Sequence, residues 1–163
     1  MLYRTIGLLR RIGIPCAGIV DADVVKLEGT DWTNLTSALE IPSSVATGLG
    51  MTRGLIRSAL KAKNLNPADT GFEGLEASDR GAANHFCEQL AAFGLFVVPN
   101  GGLESWLQYL GVKHTKNAPK MDWVARIFER LGSDSASGQY ENPKADDVWG
   151  FLRSIGAWMK KRG

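Results

Sequence analysis

Two short, uninterrupted apolar runs constrain this chain more than any other feature. Residues 14–20 (IPCAGIV) and 95–98 (LFVV) are of strand length and carry no charge. They lack the polar/apolar alternation of a strand with one wet face, so they suit a parallel sheet covered on both sides. Each run ends in a polar turn, Asp21-Ala22-Asp23 after the first and Pro99-Asn100-Gly101-Gly102 after the second. The rest of the chain reads as helix. The spacing predicts helices over 3–11 (Leu2, Ile6, Leu9), 31–40 (Trp32, Leu35, Leu39) and 76–93 (Ala83, Phe86, Leu90, Phe93). A further helix starts at Ser43 or Thr52 and runs to Lys63. A short helix covers LESWLQYL, and two more cover 122–131 (Trp123, Ile127, Leu131) and 144–160 (Val148, Phe151, Leu152, Ile155, Trp158). Residues 64–75 and 111–120 read as loops, the second of them basic, and GSDSASGQYENP as a flexible connector.

The expectation is an α/β chain with a partial parallel sheet and abundant helices. Two strands alone do not make a stable sheet. The remaining strands are therefore expected from chain preceding residue 1 or from a partner. At 163 residues, with 44% hydrophobic and 22% charged residues, the length suffices for a core without disulfides. Two cysteines make no disulfide framework, and no leader or membrane span is visible, so the reading is cytoplasmic with no membrane partner. A net charge of +2 neither demands nor excludes nucleic acid. Two histidines and two distant cysteines give no zinc pattern, and no P-loop or G-x-G-x-x-G is present.

Three clusters could carry chemistry. In GIVDADVV, Asp21 and Asp23 stand just past the carboxyl end of a strand, the edge where ligands bind in open α/β sheets. Carboxylates at that spacing suit a hard cation such as Mg²⁺, and two such ions about 4 Å apart clamp both oxygens of a phosphodiester displacement. In VVPNGGLESWL, Glu104 follows the second strand. Parallel strands end on one edge, so Glu104 can approach Asp21 and Asp23. In KHTKNAPKMDW, Lys120 and Lys116 offer positive charge to a phosphoryl centre. Separately, Arg53, Arg57 and Lys61 fall at i, i+4 and i+8, a stripe able to track a phosphate backbone. Each feature also has a plain structural explanation: turn formers, a helix-start acid, solvated cations.

Taken in order, GIPCAGIVDADVV, GLFVVPNGGLESWLQYLGV and KNAPKMDWVARIFERLG resemble the Toprim domain of the overcoming-lysogenization-defect (OLD) family of ATP-dependent nucleases. The resemblance spans roughly residues 6–132. It implies a Rossmann-like Toprim fold and DNA cleavage with Mg²⁺ or Mn²⁺, two ions in the complete site. Asp21, Asp23 and Glu104 would be metal ligands, and Lys120 the lysine that stabilises transition-state charge, with Lys116 in reserve. Arg53, Arg57, Lys61 and Lys116 would touch DNA. The family's opening strand and its catalytic glutamate would precede residue 1, as would the ATPase region. Residues 1–132 are thus expected to be a partial nuclease domain, 133–143 a connector and 144–163 a C-terminal helix that packs on the domain or mediates homo-oligomer assembly.

Other readings stay open. Asp21-x-Asp23-x-Val25 also fits the first motif of haloacid-dehalogenase-like phosphatases, with Asp21 as nucleophile. A nucleotide-sugar glycosyltransferase uses a D-x-D as well. A non-catalytic Toprim-like module would bind DNA or a partner through the Arg53 stripe.

Overall fold

The computed structural model describes residues 2–102, 111–112, 119–132 and 147–162. Over these residues the chain is a mixed α/β protein, mostly helical, with a two-stranded parallel sheet. Strand β1 (Gly18–Val20) pairs with β2 (Leu95–Val97), Gly18 opposite Leu95 and Val20 opposite Val97. The Gly18 N–H donates to Gly94 O at 2.8 Å, and the Val98 N–H donates to Val20 O at 2.8 Å, so the ladder is closed at both ends. A parallel pair needs a long crossover. Here it comprises a 3₁₀ turn (Ala22–Lys26), α2 (Gly29–Ala38), α3 (Ser43–Ala62), α4 (Pro67–Thr70) and α5 (Ala77–Ala92).

The core lies between this crossover and one face of the sheet. Leu95 and Val97 point into it, with Phe86 and Leu90 from α5, Leu49, Ile56 and Leu60 from α3, Trp32 and Leu35 from α2, and Ile6 from α1 (Leu2–Arg11). Alternation along β2 sends Phe96 to the opposite face. There α7 (Asp147–Lys160) covers it: the Phe96 ring stands edge-on to Phe151 at 6.0 Å and to Trp158 at 6.5 Å. Trp158 Nε1 also donates to Ala92 O at 3.1 Å. The C-terminal helix therefore packs on the domain. Helix α6 (Lys120–Leu131) has a small cluster of its own, in which Trp123 and Ile127 pack on Val112 and Val124 and Trp123 Nε1 donates to Val112 O at 2.9 Å.

Arg10 binds several of these pieces together. Its Nε and Nη2 donate to Cys16 O at 3.1 and 2.9 Å, its Nη1 to Leu39 O at 2.9 Å, and Nη2 also to Phe93 O at 2.8 Å. One guanidinium thus satisfies carbonyls at the ends of α2 and α5 and just before β1. The Trp158 ring stacks 5.2 Å from it. Burial, and secondarily Arg162, holds its pKa below the usual arginine value.

Several expectations need correction. The first apolar run is strand only over its last three residues, and it is not covered on both sides: Ile19 is 51% exposed and Ile14 47%. Pro15 has no N–H for a ladder, and the backbone N–H and C=O of Ile19 point away from β2. Of the two starts expected after Pro42, the structure takes Ser43, and the helix runs unbroken because Leu49, Ile56 and Leu60 form one buried stripe on it. The loop 64–75 contains the one-turn helix α4. Helix α6 begins at Lys120, so that lysine opens the helix instead of ending the loop before it. Leu152 is 43% exposed and stands off the docked face of α7, while Val148, Phe151, Ile155 and Trp158 are half-buried. The short helix expected over LESWLQYL and the connector 133–143 lie outside the described residues. Among the described residues no helix is long and apolar enough to cross a membrane.

Candidate functional site

The site is built where the two strands end. Asp21 leaves β1 in an extended conformation, and the chain then coils into the 3₁₀ turn. Ala22, Val24 and Val25 of that turn are buried, so the turn is anchored by its apolar residues. Asp21 is exposed and Asp23 half-exposed at the surface between them. The Ala22 N–H donates to Gly101 O at 2.8 Å. This bond ties the segment carrying both aspartates to the turn that follows β2.

That turn is seated backbone-on-backbone against α4. Gly71 (φ +58) and Gly101 (φ +104) are both in the left-handed half of backbone space. A Cβ on Gly71 would lie 2.0 Å from Pro99 O, and one on Gly101 would lie 2.6 Å from Ala68 O. No side chain larger than hydrogen fits either place.

Asp21 and Asp23 line a recess of about 490 Å³ with Leu2, Tyr3, Ile19, Leu27 and Asp31. Asp31, in the first turn of α2, is a third acid on this recess that spacing did not reveal. Asp23 Oδ1 is shut off from solvent and makes no hydrogen bond, although Lys26 Nζ stands 2.7 Å from it. The contact is thus an ion pair without aligned hydrogen-bond geometry. Lys26 Nζ also donates to Asn66 Oδ1 at 2.6 Å. Its place three residues after Asp23 on a helical turn is a signal that could have marked it.

Lys26 lines a second recess, of about 610 Å³, with Arg57, Ser58, Lys61 and Asn64. The predicted cationic stripe divides here. Arg57 and Lys61 share this recess, with Arg57 paired to Glu28 and Lys61 exposed. Arg53 does not join them. It lies over the Trp32 ring at 4.7 Å, with Nε and Nη1 cut off from solvent and without hydrogen-bond partners. Desolvation lowers its pKa.

The other expected site residues are not placed. Glu104 and Lys116 lie outside the described residues. Lys120 is described only through its backbone, at the start of α6. Among the described residues, no group of three or more acid, histidine or cysteine side chains is disposed to hold a metal ion. Asp21 and Asp23 supply hard oxygen donors, and Asp23 Oδ1 is an acceptor that makes no hydrogen bond and faces the Lys26 ammonium. No protein-family model, curated protein or solved structure matches the chain.

Proposed function

We propose that this chain carries the acidic edge of a Toprim-type, divalent-metal-dependent nuclease that hydrolyses DNA phosphodiesters. The observation that carries the reading is the Ala22 N–H to Gly101 O bond. It brings the segment bearing Asp21 and Asp23 against the turn that precedes Glu104 by three residues. Asp21 and Asp23 would hold Mg²⁺ or Mn²⁺ with Glu104 as a further ligand. The metal, when bound, supplies Lewis-acid stabilisation of the phosphoryl oxygens. The chain's own part is to fix the two carboxylates on a turn anchored by buried Ala22, Val24 and Val25. Arg57 and Lys61 would meet flanking phosphates, and Lys120 would neutralise charge developing at the reacting phosphate. An ATPase region and a first strand bearing a glutamate, from preceding chain or a partner, would complete the centre.

Supercoiled-plasmid nicking with Mg²⁺ or Mn²⁺, on this chain and on a longer natural product, tests the reading. Nicking should fall by at least about 100-fold on Asp23→Ala and on Glu104→Ala, the loss of a group that stabilises transition-state charge. An unchanged rate in both variants would sink the assignment.

A phosphatase using Asp21 as nucleophile is the second reading, favoured by the placement of Asp21 directly after β1 and at the recess. Trapping of an aspartyl-phosphate at Asp21 would select it.

A further inference from the structure

The turn after β1 and helix α3 bring three cations to one recess. Lys26 comes from the 3₁₀ turn, which packs on α3, and Arg57 and Lys61 stand one turn apart on α3 itself. No described acid lines the recess, and the sequence holds none from Ile41 to Ala68. The acids that pair with two of the cations are not lining residues: Glu28 meets Nη1 of Arg57, and Asp23 Oδ1 stands 2.7 Å from Lys26 Nζ. Both pairs are about half-exposed, so each is worth little and leaves its cation able to share a more highly charged anion. Lys26 Nζ also donates to Asn66 Oδ1 at 2.6 Å, which holds the ammonium in place with at least one of its three N–H groups to spare. Lys61 is exposed and enters no ion pair among the described residues. Asn64, just past α3 in the left-handed conformation (φ +52), adds an uncharged amide at the edge.

These cations form a cluster and not a track. A stripe follows a nucleic-acid backbone when every member faces outward, and Arg53 does not: it lies on the Trp32 ring at 4.7 Å with Nε and Nη1 sealed from solvent. Lys26 supplies the third corner in its place. The recess, about 610 Å³, has the size of a small-molecule site. A phosphodiester inside a strand carries one negative charge, whereas a phosphate monoester carries nearly two at neutral pH on three acceptor oxygens. Three converging cations match the second. We propose that the recess of Lys26, Arg57 and Lys61 binds a terminal phosphate monoester, carried by the end of a nucleic-acid strand or by a free nucleotide-sized ester. The inference rests on the nuclease reading only in naming a strand end as one source, and it requires neither the metal nor the acidic recess.

Fluorescence anisotropy of the whole 163-residue chain tests this, with 3′-labelled single-stranded oligonucleotides bearing a 5′-phosphate or a 5′-hydroxyl, at low salt in EDTA. The phosphorylated probe should bind about tenfold tighter. Lys26→Met, Arg57→Met and Lys61→Met should each reduce that preference about threefold to tenfold. Lys63→Met removes a cation that pairs with Glu76 and does not line the recess, and should change the preference less than about twofold. Calorimetric titration with a nucleoside 5′-monophosphate, against the nucleoside, separates the sources. Binding of the monophosphate alone, lost in the same three variants, supports the proposal and assigns the recess to free esters as well; a phosphate preference confined to the oligonucleotide supports it and assigns the recess to strand ends. No phosphate preference in either measurement, including no binding at all, overturns the proposal. So does a preference that survives all three recess substitutions or falls equally in Lys63→Met. EDTA keeps this result apart from metal-dependent nicking, so either can fail while the other stands. Far-UV circular dichroism checks folding, with Lys26→Gln as the replacement variant should Lys26→Met not fold.

Discussion

Replacing Arg10 by alanine removes the donors of three main-chain carbonyls at once, those of Cys16, Leu39 and Phe93. Each belongs to a different part of the chain. A carbonyl left without its donor in a half-buried place costs about 1 kcal/mol, and the lost stacking on Trp158 adds about 0.5 kcal/mol. The expected loss is therefore about 3–4 kcal/mol, a large fraction of the stability of a domain this size. Arg10→Lys should recover part of this, because one ammonium reaches one or two carbonyls but lacks the planar fork that spans three. Urea unfolding followed by tryptophan fluorescence reads the effect as a shift in midpoint at constant slope. A loss below about 1 kcal/mol in Arg10→Ala, with the slope unchanged, would refute the idea that this side chain joins α1 to the ends of α2 and α5.

Three other outcomes follow from the same packing. Gly71→Ala should cost at least about 2 kcal/mol by thermal melting, since its Cβ would collide with Pro99 O in a backbone conformation alanine avoids; a change under about 0.5 kcal/mol would contradict the contact. Trp158→Ala should cost about 2 kcal/mol and open the C-terminal helix to limited proteolysis, through loss of its contacts with Phe96, Arg10 and Ala92 O; unchanged cleavage there would mean the helix is not held by that ring. Burial pushes the Cys87 thiol up to about 12 from an ordinary value of 9.0, so its neutral form is favoured by the fold. The folded state then holds the proton that the unfolded chain releases, so this contribution is present below pH 9 and is lost at up to about 1.4 kcal/mol per pH unit as pH rises toward 12. Urea midpoints between pH 8 and 11 should accordingly fall less steeply in Cys87→Ala than in wild type.

The parallel pair was legible because apolar runs without alternation have few other homes, and the turn acids after β1 were legible because polar residues at a strand end are conspicuous. What the one-dimensional pattern hid has a common physical origin, contact between residues far apart in sequence. The extent of β1 depended on which flank of Ile19 is covered, and hydropathy does not encode that. Ser43 and Thr52 are equally good helix starters, and the choice fell to the buried stripe of Leu49, Ile56 and Leu60 against α5. Arg53 belongs to the periodic stripe of cations yet turns onto Trp32, twenty-one residues away in the chain, because a guanidinium plane fits an aromatic face. Asp31 reached the acidic recess through the packing of α2, and Gly71 met Gly101 through the fold of the crossover.

The acidic edge itself separates structure from chemistry in a way that can be measured. Main-chain bonds and buried apolar residues fix its position: Ala22 N–H to Gly101 O, the ladder bond from Val98 N–H to Val20 O, and the side chains of Ala22, Val24 and Val25. The carboxylates of Asp21 and Asp23 place like charges at one recess with Asp31. Asp23 has one ion pair in return, with both partners about half-exposed, and such pairs contribute at most about 1 kcal/mol. Asp23→Asn removes that pair and relieves part of the repulsion. Stability, measured by urea unfolding without divalent cations, should therefore stay within about 1 kcal/mol of wild type or rise, the pattern of residues kept for function at some cost to the fold. A loss above about 2 kcal/mol would instead make Asp23 a structural part of the turn, and the metal reading would lose its foundation.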